Sequence, residues 1–123
     1  MNFTITEKES IDLSYMDLII DGDKEMKIEM LQLLMIEPIE EIKKLWELLA
    51  MNDYDSIAKV CHKMKSTLAF VGNDTLTNIN FEMNRIADSK INKEELKDLI
   101  TLFETLFSKL LIQINNEYQK LAS

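Results

Sequence analysis

Six residues, Tyr54, Ile57, Cys61, Met64, Leu68 and Val71, stand at intervals of 3, 4, 3, 4 and 3. That spacing keeps all of them on one stripe of an α-helix and would scatter them over both faces of a strand. A chain that sustains such a stripe for about five turns must bury it against elements with stripes of their own. The sequence supplies them. Leu76, Ile79, Met83 and Ile86 step by 3, 4 and 3, and Leu96, Leu99, Phe103, Leu106, Leu110 and Ile114 continue the pattern toward Leu121. Upstream, Leu31, Met35, Ile39, Ile42, Trp46 and Leu49 step by fours and threes between about Lys24 and Met51.

Two glycines and one proline in 123 residues leave few places for tight turns, which argues against many short strands. Asp21-Gly22-Asp23 closes a short helix over Ser14–Ile20: Gly22 suits a left-handed angle and Asp23 the next N-cap. Asn52-Asp53 ends the second helix and offers a cap for the third. Gly72-Asn73-Asp74 supplies a terminal glycine and then a capping carboxylate, and Ser89-Lys90-Ile91-Asn92 breaks the pattern before the last helix. Pro38 removes the amide bond to Leu34 and predicts a kink within one long helix. The expected fold is all-α: an antiparallel up-down four-helix bundle with a short extra N-terminal helix across one end. One domain over 1–123 follows from the length, with a lead-in arm at 1–10, where little function is expected, and a core hairpin at about 54–88.

The balance of 22 acidic against 14 basic residues gives a net charge of -8. Such a chain repels nucleic acid and anionic membrane, so its expected partners are proteins. Cys61 is the only cysteine, which excludes an intramolecular disulfide and a zinc site built on several thiolates and suits a reducing cytoplasm. The N-terminus has no charged region followed by an apolar run, and nowhere do about 18 apolar residues follow one another. Glycine-rich phosphate loops, Gly-x-Ser-x-Gly turns and His-Glu-x-x-His spacings are all missing, so ATP binding of its own is not expected. No metal site is expected either, since a di-metal bundle needs paired Glu-x-x-His motifs and the chain has one histidine.

That histidine, His62, lies about 100° from Cys61 around the third helix, on the flank of the buried stripe. Small neighbours at Ala58, Ser66 and Ala69 leave its imidazole standing clear, and Lys59, Lys63 and Lys65 reverse the sign of an otherwise acidic chain. Positive charge favours the neutral, nucleophilic imidazole and attracts phosphoryl oxygens. If the hairpin turns at residues 72 and 73, residue 62 stands level with about residue 83, so Asn84 or Asn80 can orient the ring; Asn84 is the favoured one. Plainer readings stand beside these. A lone histidine is commonly a surface residue, and the lysines can be solvated face, with Lys65 the better candidate. Ser66 can matter only by being small, Gly72 as a helix terminator, and Cys61, Trp46 and the methionines as core.

The segment His62-Lys63-Met64-Lys65-Ser66-Thr67-Leu68-Ala69-Phe70-Val71-Gly72 resembles the signature of histidine-containing phosphotransfer (HPt) domains. In that family a phospho-accepting His is followed by a hydrophobic residue two on, Lys three on, Gly or Ser four on and Gly ten on. Met64, Lys65, Ser66 and Gly72 match. The likeness extends over about residues 11 to 88, from Tyr15-Met16 through the Gly22-Asp23 turn. Two departures are a Ser at position 66, where Gly is commoner, and the short amide Asn84, where a longer amide or acid is frequent. The resemblance implies a phosphoryl carrier: His62 accepts from a receiver-domain aspartate and passes the group to another receiver in a multistep phosphorelay. Lys65 would steady the phosphoryl oxygens, the partner would supply Mg²⁺, and Ala58, Ala69 and Phe70 would form the docking face. The implied partners are response-regulator receivers and a hybrid sensor histidine kinase, met by a monomer in the cytoplasm with no cofactor of its own. The alternative is a non-catalytic helical adaptor or inhibitor that docks by the same face.

Overall fold

The computed structural model describes residues 3–123; Met1 and Asn2, the start of the expected arm, lie outside the described residues. Five helices follow one another, α1 (Ser14–Ile20), α2 (Lys24–Ala50), α3 (Tyr54–Val71), α4 (Asp74–Ser89) and α5 (Lys93–Ala122), with no strand among the described residues. α3 packs on α2 and α4, α5 packs on α4 and closes back on α2, and α1 lies against α2 and α3. Short loops between such neighbours make the up-down bundle that the spacing predicts.

The helix ends are set by side chains. Asp23, Asp53 and Asn92 accept from the amides of Met26, Ser56 and Glu95, each filling one orphan donor of a first turn. At α4 the structure corrects the expected cap: Asn73 accepts from Leu76, and Asp74 is the first helical residue. An amide serves there because its Nδ2 also donates to the Ser10 carbonyl at 2.9 Å and to Glu9 Oε1 at 3.2 Å, a dual role closed to a carboxylate. The left-handed angle at Gly22 (φ +85°) is shared by Asp21 (φ 47°) before it.

Both stripes of the α3–α4 hairpin are buried from Ile57 to Val71 and from Leu76 to Ile86, and α5 adds Phe103 and Phe107 to the centre of the core. Each fully buried side chain of this size contributes about 1.5–3 kcal/mol before entropy. α2 departs from its expected stripe. Ile39 is 46% exposed and Met35 and Trp46 are half-buried, while Leu31, Leu34, Pro38, Ile42, Leu45 and Leu49 face inward with Glu41. The run Leu33-Leu34-Met35-Ile36 is apolar all round, so the stripe could be threaded through it in more than one way. Trp46 sits at the rim, where its Nε1 donates to Glu104 at 3.2 Å. α2 runs unbroken through Pro38, as one helix.

The lead-in is an ordered strap. Lys109 donates to the Thr6 carbonyl, Gln113 brackets Glu9 and Ile11, and Asp12 donates its amide to the Val71 carbonyl at 3.0 Å. The Asn73 amide holds the Glu9 carboxyl below its usual range. The strap lies so close to the α3–α4 turn that a Cβ on Gly72 (φ +71°) would overlap the Asp12 carbonyl oxygen. Gly72 therefore both ends a helix and makes room for the strap.

Candidate functional site

Residues 55, 58, 59, 62, 65, 66 and 69 recur by threes and fours on the face of α3 away from its buried stripe. His62 is exposed in the middle of that face, flanked by exposed Lys59, Ser66 and Ala69 and half-buried Ala58. α4 forms the other wall. An open cleft of about 580 Å³ is lined by Asp55, Ala58, Lys59, His62, Asn84 and Asp88. One turn further along, a smaller hollow of about 250 Å³ is bounded by Lys65, Leu68, Ala69, Thr77, Asn80 and Phe81. The imidazole thus lines the polar cleft, and the mostly apolar hollow opens one turn further along the same helix pair.

The structure brings His62 and Asn84 to one cleft, as the hairpin register predicts, but among the described residues no hydrogen bond joins them. The amide that does cross from α4 to α3 is Asn80, whose Nδ2 donates to the Cys61 carbonyl at 2.9 Å. Met83, placed level with His62 by the same register, is fully buried.

The local excess of positive charge shrinks in three dimensions. Asp55 enters the cleft from one turn before Lys59, and Asp88 from α4, so Lys59 shares the cleft with two carboxylates. Lys90 pairs with Asp55 at 3.0 Å, both side chains being more than half exposed, so the pair itself adds little. Lys65 stands apart from these acids, on the rim of the apolar hollow. Lys63 is exposed but lines neither space. Phe70 turns away: its ring stacks on Tyr15 of α1, centroids 5.3 Å apart, and closes the α1–α3 contact. The aromatic on the His62 side is Phe81, 58% exposed. Sequence reasoning named Asn80 only as the second choice to Asn84, and it missed Phe81, Asp55 and Asp88, two of which sit near His62 only across the hairpin. The signal for Asn80 and Phe81 was their place one turn before Asn84, on the face that the register turns toward α3.

Cys61, next to His62, is fully buried, and burial pushes its thiol up to about 12, helped by the charge of Asp88. A thiolate is the reactive form. The native protein should therefore leave Cys61 unmodified by a disulfide reagent at neutral pH, with one equivalent taken up only on denaturation; rapid native labelling would contradict this packing of α3.

Among the described residues no three His, Cys, Asp or Glu side chains gather as a metal-binding group, and no helix is long and apolar enough to cross a membrane. No family model matches the sequence, and no curated protein matches it. The backbone is similar to the crystal structure of histidine-containing phosphotransfer protein B from Pseudomonas aeruginosa PAO1, with a TM-score of 0.82, covering 94% of this chain and 98% of that one at 16% identity. At that identity the likeness shows a common all-helical bundle.

Proposed function

We propose that this protein carries a phosphoryl group on His62, taking it from the aspartyl phosphate of one receiver domain and giving it to the aspartate of another. The observation that carries this reading is a lone, exposed imidazole at mid-helix on α3, lining an open cleft, in a fold shared with a phosphotransfer protein. The matching run from His62 through Lys65 and Ser66 to Gly72 supports it.

The chemistry asks little of the carrier, because phosphoryl transfer is chiefly alignment and charge stabilisation. The outer ring nitrogen of neutral His62 attacks phosphorus in line with the acyl oxygen. The N–P bond forms as the O–P bond of the aspartyl phosphate breaks, the carboxylate leaves with its electron pair, and the second ring nitrogen keeps its proton. Reversal against a second receiver discharges the group. Lys65, on the rim clear of Asp55 and Asp88, donates to the phosphoryl oxygens as they pass. The receiver supplies Mg²⁺, and a hybrid kinase stands upstream in the cytoplasm. Ala58 and Ala69 give a low surface on which a receiver helix can lie, and Phe81 extends it where Phe70 was expected.

Asp55 and Asp88 in the His62 cleft favour the second reading, an adaptor or inhibitor that docks on a receiver without accepting its phosphoryl group, since carboxylates repel an incoming phosphate. Incubation with a radiolabelled phospho-receiver and Mg²⁺ separates the two. Carriage predicts acid-labile, alkali-stable label on this chain; binding that leaves the label on the receiver supports the adaptor.

A further inference from the structure

Asn80 is 1% exposed, set between the core residues Ile79 and Met83. Its Nδ2 donates across the hairpin to the Cys61 carbonyl at 2.9 Å, and its Oδ1 is buried without a hydrogen-bond partner among the described residues. As a stabilising device this is poor. A stranded buried acceptor costs at least as much as one neutral hydrogen bond gains, and the Cys61 carbonyl already has the Lys65 amide as its donor in the helix's own pattern. An apolar side chain would serve the core better.

What the bond does is fix a place. The turn it grips begins at Cys61 and contains His62 and Lys65. The residue that grips it lies one turn before Asn84, which shares the His62 cleft. Ridges of side chains alone allow packed helices to slide and rotate slightly; a directional bond between a side chain of α4 and the backbone of α3 does not. We infer that Asn80 is a positioning residue, which locks the His62-bearing turn of α3 against α4 and so holds the imidazole and Lys65 at a fixed height and angle beside the two open spaces. The inference rests on the carrier reading for its consequence in transfer, but the placement of the ring can be read without it.

The test uses the full chain with Asn80→Ala, which removes both amide atoms at a position where alanine suits a helix, and Asn80→Asp, which keeps the shape but loses the donor. Two quantities are measured on whichever variants keep the wild-type helical content: the rate of label transfer from a phospho-receiver, and the imidazole nitrogen signals of His62 by NMR. Positioning predicts a rate lower by about tenfold, together with altered imidazole signals and a changed tautomer ratio. A merely structural amide would leave an exposed ring's signals where they are. If wild type accepts label, wild-type rates or unshifted signals in the variants overturn the inference. If wild type accepts none, the carrier reading fails and the signals alone decide: shifted signals uphold the positioning role, and superimposable ones reject it.

Discussion

The variant His62→Gln is expected to fold like the wild type and to take up no acid-labile label. The imidazole is exposed on α3 and makes no hydrogen bond among the described residues, so its replacement removes no buried contact. A surface change of that kind shifts stability by within about 0.5 kcal/mol. Its chemical effect is total, because glutamine's amide has no free nucleophilic nitrogen lone pair and no second histidine exists to substitute. Thermal melting and labelling by a phospho-receiver should be measured on the same preparation. An unchanged melt with labelling at background fits the account; undiminished labelling places the phosphoryl group elsewhere, and a large loss of stability means that the ring is not free.

Gly72→Val should be among the most damaging single changes outside the core. Two independent costs fall on one atom. The backbone there has φ +71°, which a β-branched residue adopts at a cost of about 1–3 kcal/mol, and the new Cβ would overlap the Asp12 carbonyl oxygen. The strap cannot yield cheaply, since the Asp12 amide bonds the Val71 carbonyl and Asn73 holds Ser10 and Glu9 beside it. Together the loss should be about 3 kcal/mol or more, a fall in Tm on the order of 10 °C. Gly22→Val is the control. It shares the positive angle (φ +85°) but nothing lies within 4 Å of the added Cβ, so it should show the backbone cost alone. Equal losses at the two sites would mean that the strap does not press on Gly72.

The bundle was legible because helix stripes and their breaks are local. Ile57 to Val71 and Leu96 to Ile114 read correctly since each stripe keeps its step of threes and fours over several turns, even with Ile112 left exposed beside the second, and Asp23, Asp53 and the glycines mark the ends with chemistry that works over three residues. α2 defeated the same procedure between Leu33 and Ile36, where four consecutive apolar residues fit several stripes and only the packing of α3 and α5 chooses among them. The site divides in the same way. His62, Lys65 and Ala69 lie on one helix and were readable from spacing, whereas Asp88, Asn80 and Phe81 reach them from α4. Register arithmetic brought Asn84 to the cleft that His62 lines but could not say that the buried amide one turn earlier would take the cross-helix bond. Phe70 was placed on the docking face by sequence proximity, and Tyr15, 55 positions earlier, drew it to the other side.

Phosphorus NMR of the wild-type chain after exposure to a phospho-receiver and Mg²⁺, with tandem mass spectrometry of the same sample, tests the carrier most directly. The account predicts a single phosphorus–nitrogen signal, mapped to His62, that disappears when unphosphorylated receiver is added. A complex that forms with no such signal, or a phosphoryl group found on any other side chain, would contradict it.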